Sequence, residues 1–172
     1  MSKLLNVSSS PHVRCGVSTK NLMYDVAIAM LPATIWGVMQ FGIYSLIVVV
    51  ATVLSCVLSE YLFETLMHKP VTISDGSALV TGMILGLNMP PAIPLWMPIL
   101  GGVFAIIVVK QLYGGLGQNW MNPALAARCF MLISFAQAMT KFTDPVTDAV
   151  ASATPLAAIK AGDTYDLAAM FI

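Results

Sequence analysis

An uncharged stretch from Gly76 to Val109 most constrains how this chain can fold. It is too long for one membrane-spanning helix, which needs about 20 residues to cross roughly 30 Å of hydrocarbon. The segment MPPAIP interrupts it at residues 89–94, and proline does not continue a helix. The stretch therefore predicts two helices, a short half-length one over 77–89 and a second one over 95–109.

The composition also predicts an integral membrane protein. Of the 172 residues, 58% are hydrophobic and 9% are charged, whereas soluble domains carry about 25% charged residues. The formal net charge is zero, so the chain lacks the basic footprint of a nucleic-acid-binding protein. The first 21 residues have polar positions where a signal peptide would have an apolar segment. They are therefore predicted to be an uncleaved N-terminal segment.

Three further apolar runs complete the predicted membrane region, residues 22–140. They cover residues 22–40, residues 42–59 with a continuation past Glu60 and Glu64, and residues 124–140. The fold class predicted is all-α, with about five transmembrane or half-length helices. Short helices at membrane depth tend to line cavities, because their ends expose backbone groups; alternatively, a short helix is simply packed among longer ones.

The basic residues predict the orientation of the chain. Six of the eight fall on the N-terminal side: Lys3, Arg14, Lys20, Lys69, Lys110 and Arg128. The positive-inside rule then places the N-terminus in the cytoplasm and the loop over 141–166 outside. A re-entrant third helix would reverse the side of that loop. Residues 167–172 are predicted to begin a further helix, which makes the chain an expected fragment of a longer protein.

Few side chains in the predicted spans can carry chemistry. Asp25, Glu60 and Glu64 are functional candidates because ionisable residues within membranes usually are, although each lies near the end of a span and can reach the interface. Cys56 and Cys129 lie in apolar runs and are expected to be inert, buried thiols. The cysteines have no CxxC spacing, and the sequence predicts no catalytic residue and no metal site.

Residues 113–128, YGGLGQNWMNPALAAR, combine three glycines with two asparagines. They match neither a Walker A loop nor a Rossmann fingerprint. The structural interpretation is a turn followed by a helix that Asn122 caps and Pro123 begins. In the functional interpretation, the amides of Asn119 and Asn122 bind the edge of a polar ring system. Gly82 and Gly86 form a GxxxG pair, which predicts close helix packing.

Residues 148–156, DAVASATPL, form part of the longest polar interruption of the chain. Thr154 before Pro155 predicts a helix N-cap, because a residue before proline favours extended geometry. The same geometry suits a phosphate ester on the Thr154 hydroxyl, since helix N-termini attract phosphate. Ser152 and Ala153 are small enough for a modifying enzyme to approach Thr154. Asp148 lies upstream, where such an enzyme could recognise it.

The chain resembles the NqrB/RnfD family, more closely its Rnf branch. The matching segments are VVKQLYGGLGQNWMNPALAAR, SDGSALVTGMILGLNMPP and DAVASATPL. The last resembles the target of flavin transferases, D-x-x-x-S/G-A-T, in which threonine is esterified to the phosphate of FMN. Asp148, Ser152, Ala153 and Thr154 match that pattern, while Ala149 replaces the commoner glycine. Family members are about twice as long and contain a second repeat.

The resemblance implies a subunit of an ion-translocating oxidoreductase complex in the plasma (inner) membrane, not catalytic alone. It implies FMN covalently linked through a phosphoester to Thr154, donated from FAD by a flavin transferase with Mg²⁺. It also implies a fold similar to one inverted repeat of the urea transporters. A noncovalent riboflavin near Asn119 and Asn122, and Rnf-type partner subunits, are implied as well. The complex would couple electron flow between ferredoxin and NAD to transport of Na⁺ or H⁺.

Two other function classes remain open from the residues alone. The short, glycine-bearing third helix also suits a urea-transporter-like channel or transporter without a redox cofactor. A purely structural membrane subunit is the third interpretation. A flavin that survives denaturation separates the redox subunit from both, since neither alternative predicts one.

Overall fold

Two long apolar helices begin the fold. A computed structural model describes Gly16 and residues 18–69, 71–143 and 150–151. Helix α1 covers Thr19–Phe41 and helix α2 covers Ile43–Leu66. Both are long and apolar enough, by length and composition, to cross a membrane. Gly42 joins them with a φ of 81°, a conformation that glycine adopts without the strain of a side chain.

The uncharged stretch forms two helices, as its prolines predict. Helix α3 covers Ser77–Leu87, after a 3₁₀ turn at Ile73–Asp75. Its 11 residues rise about 16 Å, roughly half of the hydrocarbon thickness. Helix α4 covers Trp96–Phe104 and continues as a π-helical segment over Ala105–Gln111. The helical path thus extends two residues beyond the predicted end at Val109.

The last apolar run differs from its prediction. Residues 124–140 were expected to form one helix, but α5 covers Pro123–Ser134 and a short α6 covers Ala136–Met139. Phe135 between them has non-helical dihedral angles, φ −133° and ψ 48°. Two-residue strands then pair antiparallel, β1 at Phe142–Thr143 and β2 at Val150–Ala151. Within the described residues, this short ladder is the only addition to an otherwise helical fold.

Helix α3 lies at the centre of the packing. Eight of its 11 residues are buried, and it contacts α1, α2, α4 and α5. Gly82 and Gly86 permit this, because a Cβ on Gly82 would lie 2.6 Å from the Cα of Val53 on α2, and one on Gly86 would lie 2.9 Å from the Cα of Val49. The predicted packing role of the GxxxG pair is therefore confirmed.

The connection from α3 to α4 is irregular and partly buried, and its buried residues pack into the protein. Met89 and Ile93 are buried and belong to the main apolar core. The hydroxyl of Tyr44 on α2 donates to the carbonyl oxygen of Ile93 in the connection at 2.9 Å, and that of Ser55 donates to the carbonyl oxygen of Ile99, within α4, at 2.8 Å. Irregular backbone at membrane depth requires such partners, since lipid offers none.

Candidate functional site

A largely buried group of polar side chains, here called the polar cluster, joins one end of α2, α3 and the π-helical segment. The Nζ atom of Lys110 lies 2.5 Å from Oε1 of Glu60, and these side chains are 2% and 0% exposed. Lys110 Nζ also donates to Ser77 Oγ at 2.5 Å. The Gln111 amide donates from Nε2 to Glu60 Oε1 at 3.0 Å and to Glu64 Oε1 at 3.2 Å.

The loop before α3 completes the polar cluster. Glu64 accepts hydrogen bonds from the hydroxyl of Thr72 and from its backbone N–H, the latter at 3.0 Å. Asp75 Oδ1 accepts from the hydroxyl of Ser77 at 2.6 Å and from its backbone N–H at 2.9 Å. Asp75 thereby lies at the N-terminus of α3, where the helix dipole favours a carboxylate. The members are Glu60, Glu64, Thr72, Asp75, Ser77, Lys110 and Gln111.

Sequence reasoning missed the polar cluster, although the sequence contains its signals. Glu60 and Glu64 are four residues apart and share a helix face, and Lys110 ends the uncharged stretch. Lys110 was counted as a loop charge for orientation, whereas it is buried within the π-helical segment. Glu60 and Glu64 were expected to be able to reach the interface, whereas both are buried. Pairing is what allows charged groups to be buried.

A second space, here called the aromatic cavity, also borders the π-helical segment. It measures about 450 Å³, and its walls come from α4, the segment, α5 and the loop between them. The Tyr113 and Trp120 rings meet edge to face, with centroids 6.2 Å apart. Phe104 also lines it and stacks on Phe130 at 4.2 Å. The lining residues are Phe104, Val108, Val109, Tyr113, Trp120, Met121, Asn122, Leu125, Ala126 and Cys129.

The two asparagines have different environments. Oδ1 of Asn122 accepts from the backbone N–H groups of Ala124 and Leu125, at 3.0 and 3.4 Å. Asn122 is therefore the N-cap of α5 and Pro123 its first residue, which confirms the structural interpretation. Asn122 also lines the aromatic cavity. Oδ1 of Asn119 is buried and has no hydrogen-bond partner among the described residues, so its acceptor capacity is unused there.

Arg128 and Cys129 on α5 have different environments. Arg128 donates from a guanidinium nitrogen to Oδ1 of Asn88, the C-cap of α3, at 2.8 Å. Cys129 was expected to be a buried thiol, but its side chain is exposed, while Cys56 is buried as predicted. The apolar run around Cys129 predicted burial because it does not distinguish side chains packed in the core from those that line an open cavity.

The predicted flavin attachment residues are outside the described part of the chain. Asp148, Ser152, Ala153 and Thr154 fall in residues 144–149 and 152–172, for which no structure is described. Strand β2 ends at Ala151, three positions before Thr154 in the sequence. Within the described residues, no group of three or more histidine, cysteine, aspartate or glutamate side chains is placed to hold a metal ion.

Comparison with known proteins gives consistent matches along the chain. The profile of the family described as NQR2, RnfD, RnfE matches residues 6–172. The chain is 49% identical, over 161 residues, to the D subunit of the Na(+)-translocating ferredoxin:NAD(+) oxidoreductase complex of Acetobacterium woodii. The match covers 93% of this chain and 51% of that protein.

Two other relatives match over a similar extent. The D subunit of the proton-translocating ferredoxin:NAD(+) oxidoreductase complex of Clostridium ljungdahlii is 42% identical over 160 residues, which are 91% of this chain and 48% of that protein. The D subunit of the ion-translocating oxidoreductase complex of Shewanella denitrificans is 40% identical over 157 residues, 90% and 45% of the two chains. The chain thus spans about half the length of the curated relatives that it matches.

Proposed function

The chain belongs to the NQR2, RnfD, RnfE family, and on that premise we propose that it is a membrane subunit of an ion-translocating electron transport complex. The complex couples electron flow between ferredoxin and NAD to transport of Na⁺ or H⁺. The observation that carries the proposal is the family match over residues 6–172. The Acetobacterium and Clostridium relatives are named as subunits of complexes with that activity.

The electron carrier in this proposal is FMN, joined through a phosphoester to the hydroxyl of Thr154. Support comes from the sequence DAVASATPL, in which Asp148, Ser152, Ala153 and Thr154 match the flavin transferase target. A flavin transferase is then a partner during maturation, and other Rnf-type subunits are partners in the complex. When bound, the flavin supplies electron transfer, while the protein supplies position, electrostatics and exclusion of water.

The aromatic cavity is the proposed place for a second flavin, a noncovalent riboflavin. Its volume of about 450 Å³ lies within the usual range for ligand sites, about 300–1,000 Å³. Tyr113 and Trp120 offer ring faces and edges for stacking. Asn122 leaves its Nδ2 amino group for the ligand, because Oδ1 caps α5. Asn119 retains a buried, unused acceptor nearby in the chain. Of these residues, Tyr113, Trp120 and Asn122 line the cavity, and they fit a polar-edged aromatic ring.

The membrane placement follows from the same premise. Helices α1 and α2 cross the plasma (inner) membrane in a multi-pass protein surrounded by lipid, with the N-terminus in the cytoplasm and the loop around Thr154 outside. The fold is one of two inverted repeats of the urea-transporter type, in which the half-length α3 packs at the centre. The polar ends of α3 are supported by Asp75 at its start and by Asn88 at its end.

The covalent flavin is tested on the purified subunit, produced together with a flavin transferase. The denatured protein is run on a gel under ultraviolet light, and its intact mass is measured. We expect fluorescence and a mass increase of one FMN less water for the wild type. Thr154→Ala is expected to be dark and unmodified, because it lacks the hydroxyl that forms the ester.

Two variants control this experiment. Thr147→Ala removes a hydroxyl from the same loop and is expected to leave flavin attachment unchanged. Asp148→Ala is expected to lower the modified fraction, since the transferase would lose part of its target. A wild-type subunit that stays dark, beside a second target that the same transferase does modify, would contradict the redox role.

A channel or transporter without a redox cofactor is the second candidate. One observation favours it: the polar cluster places ionisable side chains within the predicted membrane region, where such residues commonly mark ion pathways. Under this alternative the denatured subunit carries no flavin, and reconstituted vesicles conduct solute without any electron donor. The gel experiment therefore separates the two candidates.

A further inference from the structure

The π-helical segment over Ala105–Gln111 has an uncommon hydrogen-bond register. Its bonds reach five residues back: the N–H of Leu112 donates to the carbonyl oxygen of Ile107 at 3.1 Å. The bond from Gly115 to Lys110 has the same spacing and the same length. π-helices are rare, occur mostly as single turns and are frequent at functional sites. A segment of seven residues therefore requires contacts that favour this register.

The register determines which side chains line the aromatic cavity. Phe104 and Tyr113 both line it, and they are nine positions apart. In an α-helix nine positions make about two and a half turns, so the two rings would lie on opposite sides. Turns closed by i→i+5 hydrogen bonds hold more residues, so nine positions make about two turns. The π register is therefore what brings both rings to one wall.

The same register aligns two contacts of the chain with α2. Gly102 packs closely on this helix, because a Cβ there would lie 2.8 Å from Oγ of Ser55. Gln111, nine positions later, bonds through Nε2 to Glu60 and Glu64 of the same helix. In an α-helix, Gly102 and Gln111 would again lie on opposite sides. The contacts with α2 thus stabilise the π register against the α register.

Lys110 makes the contact that is most sensitive to the register. Its Nζ lies 2.5 Å from Oε1 of Glu60 and 2.5 Å from Oγ of Ser77, and its side chain is 2% exposed. A shift of the segment by one residue would turn Lys110 by about 100° away from this position. Two charges would then be buried without a partner, which is costly. The ion pair therefore holds the segment in its register.

We propose that Lys110 is a positioning residue for the aromatic cavity. Its ion pair with Glu60 fixes the π register, and the register places Phe104 and Tyr113 on one wall, where they hold a flat aromatic ligand. The polar cluster and the aromatic cavity are thereby connected through one segment. The inference rests on the proposed function for the identity of the ligand, a flavin ring, and not for the register.

Cross-linking tests the register without any ligand. Phe104→Cys is combined with either Tyr113→Cys or Leu112→Cys, in a background in which the three native cysteines are replaced. A short bis-maleimide is added to the subunit in lipid nanodiscs, and intact mass follows the linked product. We expect faster linking of the 104–113 pair, because Tyr113 shares the cavity wall with Phe104 and Leu112 does not. The α register would reverse this order, since position 113 would then lie opposite position 104.

A charge-neutral double variant tests the role of Lys110. Glu60→Gln with Lys110→Met removes both charges together, so neither is left buried alone. We expect the preference for the 104–113 pair to be lost. The Kd of riboflavin, measured by quenching of its fluorescence, is expected to rise by about tenfold, because one ring turns away from the wall. Lys110 itself faces α2 and not the cavity, so this loss would act through the register.

Two further variants keep the test independent of how well the double variant folds. Gln111→Leu removes the neighbouring contact with α2 and leaves every charge in place; it is expected to reduce the linking preference and the riboflavin affinity together. Thr52→Ala is the control for stability alone. Thr52 is fully buried on α2, and its hydroxyl bonds within that helix, to the carbonyl oxygen of Val48. This variant is expected to unfold at a lower temperature but to keep both quantities.

The possible outcomes bear on different parts of the proposal. Equal linking of the two pairs in the wild type overturns it, because the segment is then not held in the π register. A preference and an affinity that survive both in the double variant and in Gln111→Leu overturn the role of Lys110, and apolar packing then sets the register. A wild type that keeps the preference but binds no riboflavin refutes only the proposed flavin in the aromatic cavity.

Discussion

Helices α1 and α3 are both apolar, but they are stabilised by different surroundings. The 23 residues of α1 are long enough to cross a membrane, yet only 6% of its most apolar window is buried within the protein. The 11 residues of α3 are too short to cross, yet eight are buried. The length of α1 therefore matches the thickness of a bilayer, whereas α3 depends on protein contacts at both of its ends.

This difference explains where polar residues are tolerated. In the proposed membrane placement the ends of α3 lie at membrane depth, so their backbone groups need protein partners. Asp75 supplies one for Ser77, and the side chain of Asn88 donates to the carbonyl oxygen of Ile84. On α1, Thr34 is satisfied locally by the carbonyl oxygen of Met30. Changes around α3 should therefore be costly, and comparable changes on α1 should be mild.

The largest effect is expected for Glu60→Ala, which removes the partner of the ammonium group buried beside α3. Breaking a buried ion pair from one side costs about 3–5 kcal/mol, because the remaining charge stays buried. The free energy of unfolding in mixed micelles measures this loss. Asp25→Ala on α1 is the control, since Asp25 is exposed and its removal should change little. Equal losses for the two variants would show that the cluster is not held together by its charges.

A smaller effect is expected for Gly82→Ala, which brings a methyl group against the backbone of α2. Overpacking of this kind costs about 1–3 kcal/mol, and here the nearest atom is the Cα of Val53, which cannot rotate away. Gly37→Ala on α1 is the matched control, because a Cβ there meets nothing within 4 Å. It is expected to be neutral or slightly stabilising, since alanine favours helices. Thermal unfolding of both variants measures the two effects. An unchanged unfolding temperature in Gly82→Ala would contradict the close packing of α3 on α2.

Loss of the hydrogen bond that holds the connection after α3 is expected to have a still smaller effect. Tyr44→Phe removes the donor to the carbonyl oxygen of Ile93 and is expected to cost about 1 kcal/mol. Tyr61→Phe, also on α2, removes a hydroxyl from an exposed ring and serves as the control. Hydrogen exchange of residues 88–95 should increase in Tyr44→Phe alone. If exchange is unchanged, the apolar contacts of Met89 and Ile93 hold the connection in place without this hydrogen bond.

The sequence was informative wherever one local pattern determines structure. The prolines at 90, 91 and 94 divided the uncharged stretch, and Asn122 with Pro123 marked the start of α5. Gly82 and Gly86 marked the face of α3 that packs closely on α2. The family followed from three motifs and is confirmed by the profile match over residues 6–172.

The polar cluster could not be predicted in the same way, because its members come from distant parts of the chain. Glu60 and Lys110 are 50 positions apart, and only the packing of α2 on α3 and α4 brings them together. The break at Phe135 was missed for a related reason: the run over 124–140 is largely apolar, and no proline or glycine marks the end of α5. Which face of a helix is packed also requires tertiary contacts, as the exposed Cys129 illustrates.

The smallest effect on stability is expected at the aromatic cavity, which is open rather than enclosed. Trp120→Ala should leave the unfolding temperature nearly unchanged, because the Trp120 side chain is 66% exposed. Riboflavin binding, measured by quenching of its fluorescence, should weaken by about tenfold, the upper end of what one aromatic contact contributes. Trp36→Ala on α1, also highly exposed, should affect neither quantity. Equal riboflavin affinity in the two variants would exclude the aromatic cavity as the flavin site. Removing a tryptophan from the loop before α5 would then matter no more for riboflavin binding than removing one from α1.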